Sequence, residues 1–222
     1  MHKHTLHTLS KQLKVIVMKL YYSPGACSLA PHILLRETGL TFDLVRVDLA
    51  SHKLNAQDDY YAVNPKGAVP VLELDDGERL TEGPVIAQWI ADRAGRTDLM
   101  PAAGTMARYR VMEWQNYVTS EVHKSYSPLF KSDFNEEGKT WFRRALRQRY
   151  EHVNAVLQQS AFLTGSDFTA ADAYLFVVTN WAGRVGVDLR NLGALEAFMT
   201  RVRAREAVQA ALTAEGLLKK SA

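Results

Sequence analysis

The chain has 222 residues, 47% apolar and 23% charged, the proportions of a globular protein long enough to bury a core in one large domain or two modest ones. Its single cysteine, Cys27, excludes an internal disulfide framework and any cysteine-rich metal site, and suits a reducing cytoplasm. The net charge of +3 comes from Lys3, Lys11 and Lys14 in the acid-free residues 1–17; the other 24 Lys and Arg balance 24 Asp and Glu, so no nucleic-acid surface is implied.

Residues 1–17 read as an extension, with Met18 the natural start of the folded chain. Their apolar stretch is too short for a secretory signal and lacks a small-residue cleavage site. His2, His4 and His7 lie in a tail without fixed geometry and make a poor metal site; no metal is expected. No apolar run approaches the roughly 18 residues of a membrane helix, so no membrane partner is expected either.

From Met18 the elements alternate. "MKLYYS" reads as a buried strand, "APHILLRETG" as a helix stopped by Gly39, and "FDLVRV" as an alternating strand. A polar loop with a short helical stretch follows. "VPVLEL" and "ERLTE" then flank Asp75-Asp76-Gly77, a hairpin signal. "GPVIAQWIADRA" opens on Pro84 in its first turn and is helical. The expected fold is therefore α/β followed by all-α: βαβαββα with a mixed sheet over residues 18–97, a linker over 98–104, and helices over 105–222. In the second part, helices are expected from about Met106 to Ser125, through "TWFRRALRQRYEHVNAVLQQ", and after Phe168 and Leu192. "FTAAD" is a start signal in which Thr169 caps and Asp172 answers, a structural role for that acid.

Cys27 falls where a Pro-Gly turn becomes a helix. Free N–H groups and the positive end of the helix dipole stabilise a thiolate there, belonging to Cys27 or to a thiol substrate beside it. A small residue in a tight turn would look the same. The following residues are Ser28-Leu29-Ala30, so there is no second cysteine for a dithiol cycle.

Taken together, "MKLYYSPGACSLAPHILLRETG", "VNPKGAVPVLELDDGERLTEG" and "FTAADAYLF" resemble bacterial beta-class glutathione S-transferases, in family order and spacing from Met18 to Leu218. The resemblance implies a thioredoxin-like domain binding glutathione, a helical domain receiving a small hydrophobic electrophile, and a cytoplasmic homodimer serving detoxification. Glutathione would be a co-substrate, with no cofactor bound permanently. Val69-Pro70 would be cis, with Val69 pairing the tripeptide's cysteinyl backbone. Glu82 and Gly83 would seat the γ-glutamyl end at a helix N-terminus. Many relatives in the wider superfamily carry serine at Gly83, so a hydroxyl contact is lost here.

Along the first helix of the second part, Asn116, Ser120, His123 and Lys124 share one face, opposite Val111, Trp114, Val118 and Val122. The resemblance turns the polar face toward glutathione, with Glu121 and Val122 beside it, and gives the electrophile pocket Tyr22, Tyr109 and Met112. Catalysis would rest on Cys27 and His123, with Ser28 as auxiliary donor. The family usually has lysine where this chain has His52. A largely neutral imidazole would hold the glycyl carboxylate less firmly unless Lys53 compensates. Three other readings stay open. A reductive dehalogenase or disulfide reductase working through Cys27 would consume two glutathiones per turnover. A non-catalytic binder would quench the tryptophans without turnover. A docking module has no extra domain or charged tail to support it.

Overall fold

The computed structural model describes residues 17–54 and 57–218, so the reading of residues 1–17 lies, Val17 apart, outside the described residues. β1 (Met18–Tyr22) leads into α1 (Leu29–Thr38), and β2 (Phe42–Asp48) returns parallel to it, Met18 opposite Phe42 and Tyr22 opposite Arg46. Gly39 ends α1 at φ 69°, a left-handed conformation that costs glycine little. The Asp-Asp-Gly turn joins β5 (Val71–Glu73) to β6 (Arg79–Thr81), with Val71 opposite Thr81 and Glu73 opposite Arg79.

The helical stretch expected between β2 and β5 is one 3-10 turn, Tyr60–Ala62. Two-residue strands β3 (Lys53–Leu54) and β4 (Asp58–Asp59) precede it, too short to leave a periodic signal. The sheet order is β4-β3-β2-β1-β5-β6, and only the β1–β2 pair is parallel. α2 (Gly83–Arg93) closes this unit.

The rest is helical: α3 (Met106–Tyr117), a π-helical turn (Val118–His123), α4 (Lys124–Tyr126), a 3-10 turn (Ser127–Phe130), α5 (Glu136–Leu157), α6 (Ala170–Thr179), α7 (Gly193–Arg203) and α8 (Glu206–Ala214). This is the thioredoxin-like unit followed by an all-helical one that the sequence predicts. Among the described residues, no helix is long and apolar enough to cross a membrane.

Strand alternation sorts the core. Leu20 and Tyr22 face α1 and the large core, while Tyr21 faces a smaller cluster with Val47, Tyr60 and Val71. The large core is continuous from Leu20, Ile33 and Ile90 into Val118, Leu175 and Phe176, so both halves share one apolar interior. Every residue of α6 is buried, as expected for a helix apolar all round. Its start is held by Asp172, whose carboxylate accepts from the Thr169 N–H and hydroxyl (both 2.8 Å) and from the Leu163 N–H (2.9 Å). Two pairs of parallel hydrogen bonds also tie the halves together: Arg108 on Asp92 (2.8 and 2.8 Å) and Arg205 on Glu37 (2.6 and 3.0 Å).

Candidate functional site

α1 begins just past Cys27, and the Cys27 and Ser28 N–H groups point toward the cysteine sulfur, favouring a negative charge there. Burial outweighs them and pushes the Cys27 thiol up to about 12. The side chain is therefore a neutral thiol at pH 7, and its S–H donates to the Val69 carbonyl at 3.2 Å. The Val69-Pro70 bond is cis. The Ser28 hydroxyl is fully buried and already spent, accepting from the Ser23 N–H (3.2 Å) and donating to its carbonyl (3.3 Å). Ser28 thus reaches a sulfur through its backbone, which corrects the expectation of a hydroxyl donor.

Two cavities meet at this helix mouth and share Cys27, Ala68, Val69, His123 and Ser127. The smaller, about 280 Å³, is the more polar of the two; Lys66, Pro70, Glu82, Gly83, Lys124 and Tyr174 are among its walls. Glu82 stands at the N-terminus of α2 with φ 67°, a conformation that costs a non-glycine residue about 1–3 kcal/mol and concentrates at ligand clamps. Lys66 Nζ lies 2.6 Å from its carboxylate.

The larger cavity, about 560 Å³, runs past His52 to an aromatic wall of Tyr126, Phe130 and Trp181. His52 also has positive φ, 53°, and stacks on Tyr61 with ring centroids 4.7 Å apart. Its buried Nδ1 has no partner among the described residues. Gly67 makes this packing possible: a Cβ there would fall 2.7 Å from the Tyr61 ring and 3.0 Å from His52 Nδ1.

The π-helical turn decides what the long helix presents. One extra residue in the turn retards the helix by about 100°. Thr119, His123 and Ser127 consequently line the polar cavity, where straight-helix geometry would have put Asn116 and Ser120. His123 Nδ1 lies 2.5 Å from the Tyr174 hydroxyl, and its ring packs edge-on against Trp181. Burial, with a smaller effect from Lys124, lowers the imidazole to about 4, so it is neutral at pH 7. In the tautomer that accepts from Tyr174 at Nδ1, the ring proton sits on Nε2 and can serve a ligand.

Within one chain, several expected residues stay away from both cavities. Tyr22 faces the opposite side of the sheet, buried against His32. Tyr109 is exposed on α3, and Met112 lines neither cavity. Asn116 and Ser120 face outward, Glu121 pairs with Arg149 on α5 at 2.8 Å, and Val122 is core. Lys53 is exposed and lines neither cavity, so His52 stands alone. The aromatic wall of the larger cavity is instead Tyr126, at the end of α4, with Phe130 and Trp181 from the turns after α4 and α6, which period counting does not place.

Beneath the mouth lies a group the sequence reading passed over. His32 and Glu215 have fully buried side chains, His32 Nδ1 2.8 Å from Glu215 Oε1. The other carboxylate oxygen accepts from the Gly25 N–H at 2.9 Å, and Trp181 Nε1 donates to the Gly25 carbonyl at 2.8 Å. The loop carrying Cys27 is thus held from both sides by the helical half. A histidine inside the apolar run "LAPHILL" was the visible signal.

Comparison with known proteins follows the same geometry. The family model for the glutathione S-transferase N-terminal domain matches residues 25–93, and that for the C-terminal domain matches 118–206. Glutathione S-transferase GstA of Escherichia coli O157:H7 is 49% identical, over 90% of this chain and 100% of its own length. Among solved structures, the ternary complex of the bacterial GST BphK superposes with a TM-score of 0.87 at 52% identity, covering 90% of this chain and 100% of that one. A sphingomonad glutathione S-transferase complexed with glutathione gives 0.86 at 44%, with the same coverage. With both halves matched and about half the residues shared over nine-tenths of its length, the chain belongs to the glutathione S-transferase family.

Proposed function

We propose that this chain is a beta-class enzyme that transfers the thiolate of reduced glutathione to small hydrophobic electrophiles, as in displacement of halide from an activated aryl ring. The observation that carries it is the meeting of a polar and an aromatic cavity at Cys27 and His123, on the N-terminus of α1. The γ-glutamyl end would occupy the polar cavity at Glu82 and Gly83. The cysteinyl backbone would pair with Val69, and the glycyl carboxylate would approach His52. The sulfur then faces the aromatic cavity.

A thiol with pKa near 8.5 is only about 3% ionised at pH 7; lowering it to about 6.5 makes most of it thiolate, a gain of about 25-fold. That shift requires about 2.7 kcal/mol. A helix terminus contributes up to about 2 kcal/mol and a hydrogen bond to the charged sulfur about 1.5–3. Cys27 as a neutral thiol and His123 through Nε2–H are the donors that close the gap. Cys27 held up to about 12 is a better donor than nucleophile, which favours conjugation over a covalent cycle through Cys27.

Turnover is tested with aryl halides, hydroperoxides and mixed disulfides. Ultraviolet titration of bound glutathione follows its thiol in wild type and in a Cys27→Ala/His123→Ala double variant. A double variant with unchanged thiol pKa and turnover overturns the site assignment. We place the enzyme in the cytoplasm, in detoxification, as a homodimer. Val85, Met106 and Tyr109, exposed on α2 and α3, are apolar side chains that a second copy would cover. Sedimentation velocity tests that state.

A further inference from the structure

The aromatic cavity carries one formally cationic side chain outside the histidines, Arg184, and no Asp or Glu among its lining residues. Arg184 sits on the 3-10 turn Ala182–Val185 directly after Trp181. That turn is pinned: the Arg184 N–H donates to the Trp181 carbonyl (3.0 Å), and Arg143 Nε donates to the Val185 carbonyl (2.9 Å). The other arginines of this region are engaged. Arg147 donates to the Asp188 and Arg190 carbonyls, and Arg190 pairs with Asp188. Unlike Arg143, Arg147 and Arg190, Arg184 has no hydrogen-bond or ion-pair partner for its guanidinium among the described residues.

An unpaired guanidinium is ordinarily a solvated surface charge. Here it borders a cavity walled by Phe130 and Trp181, whose rings meet edge-to-face at 5.8 Å and suit a planar aryl group. His123 is neutral, so it adds no second positive charge to this cavity. A guanidinium offers a carboxylate two parallel N–H donors.

Building on the transferase reading, we infer that the preferred electrophiles are aromatic compounds bearing a carboxylate, and that Arg184 binds that carboxylate while the ring rests against Phe130 and Trp181. In the reaction the glutathione thiolate supplies the electron pair for the new C–S bond, the C–halogen bond breaks, and halide leaves with its pair. The carboxylate is unchanged.

The test compares kcat/KM for 4-chloro-3,5-dinitrobenzoate and for its neutral amide, 4-chloro-3,5-dinitrobenzamide, at saturating glutathione. Wild type is expected to favour the carboxylate relative to the two compounds' uncatalysed rates with glutathione. Arg184→Gln is expected to lower the carboxylate-to-amide ratio about tenfold, mainly through KM. Arg184→Lys restores part of it, and Arg184→Glu lowers it further. An unchanged ratio across these variants overturns the inference and leaves the transferase reading intact. So does a change in KM for glutathione as large as the change in the ratio, which would assign Arg184 to the tripeptide. Failure of wild type to turn over either compound or any other aryl halide removes the transferase reading and this inference with it.

Discussion

Replacing Glu215 by alanine tests whether the helical half holds the cysteine loop in place. The substitution removes the acceptor of the half-buried Gly25 N–H and the partner of the fully buried His32 Nδ1. Each buried polar group left unsatisfied costs about 1–3 kcal/mol, and breaking a buried pair by deleting one partner costs about 3–5. The two estimates overlap, so a loss of about 3–5 kcal/mol is expected from a total of roughly 5–15. For a chain of this size that corresponds to a fall of about 10 °C in melting temperature. Glu215→Gln keeps one acceptor oxygen, which can serve either the Gly25 N–H or His32 Nδ1 but not both, and should fall between the alanine variant and wild type. Urea unfolding at fixed protein concentration measures the stability; KM for glutathione reads the loop, and should rise in the alanine variant even where the protein is fully folded. An alanine variant within 1 kcal/mol of wild type, with unchanged KM, refutes the reasoning.

Three further outcomes follow from charge and burial. His123 is lowered to about 4 in the folded chain, whereas an unfolded histidine takes up its proton near 6.5. Its neutral form therefore leaves stability unaffected above pH 6.5, and stability falls as pH drops from 6.5 toward 4, by about 3 kcal/mol in all; a His123→Gln variant should lack this loss, and superimposable urea curves at pH 4.5 would contradict it. Cys27, held up to about 12, should react with iodoacetamide at pH 8 about a thousand times more slowly than a free thiol, measured by intact mass; alkylation at the free-thiol rate would show that the thiol ionises readily. His52→Lys should tighten glutathione about three- to tenfold at pH 8 by calorimetry, because an ammonium brings a permanent positive charge to the cavity wall; no change would remove His52 from the glycyl end.

Local rules carried much of the fold. The Gly39 stop, the Asp-Asp-Gly hairpin and the Thr169–Asp172 start each involve residues close in sequence, where one conformational preference decides the outcome. The same closeness made Cys27, Glu82 and Gly83 readable as helix-terminus residues. The reading failed where distant segments meet. His32 finds Glu215 183 positions away, and Phe130 and Trp181 meet across the mouth of the second cavity. It also failed at Tyr22, whose neighbour along β1, Tyr21, takes the other face. Strand alternation says that neighbours diverge without saying which one meets the ligand.

The π-helical turn at Val118–His123 has a consequence for how helices are compared between relatives. A surplus residue opens only a one-residue gap in a sequence alignment yet rotates everything downstream by about 100° relative to the helix before it, so side chains in the same column can project in different directions on two chains that differ only in this turn. Removing one residue, for instance Thr119, would rewind the segment into an ordinary α-helix and swing the imidazole out of the cleft, with no substitution at position 123 itself.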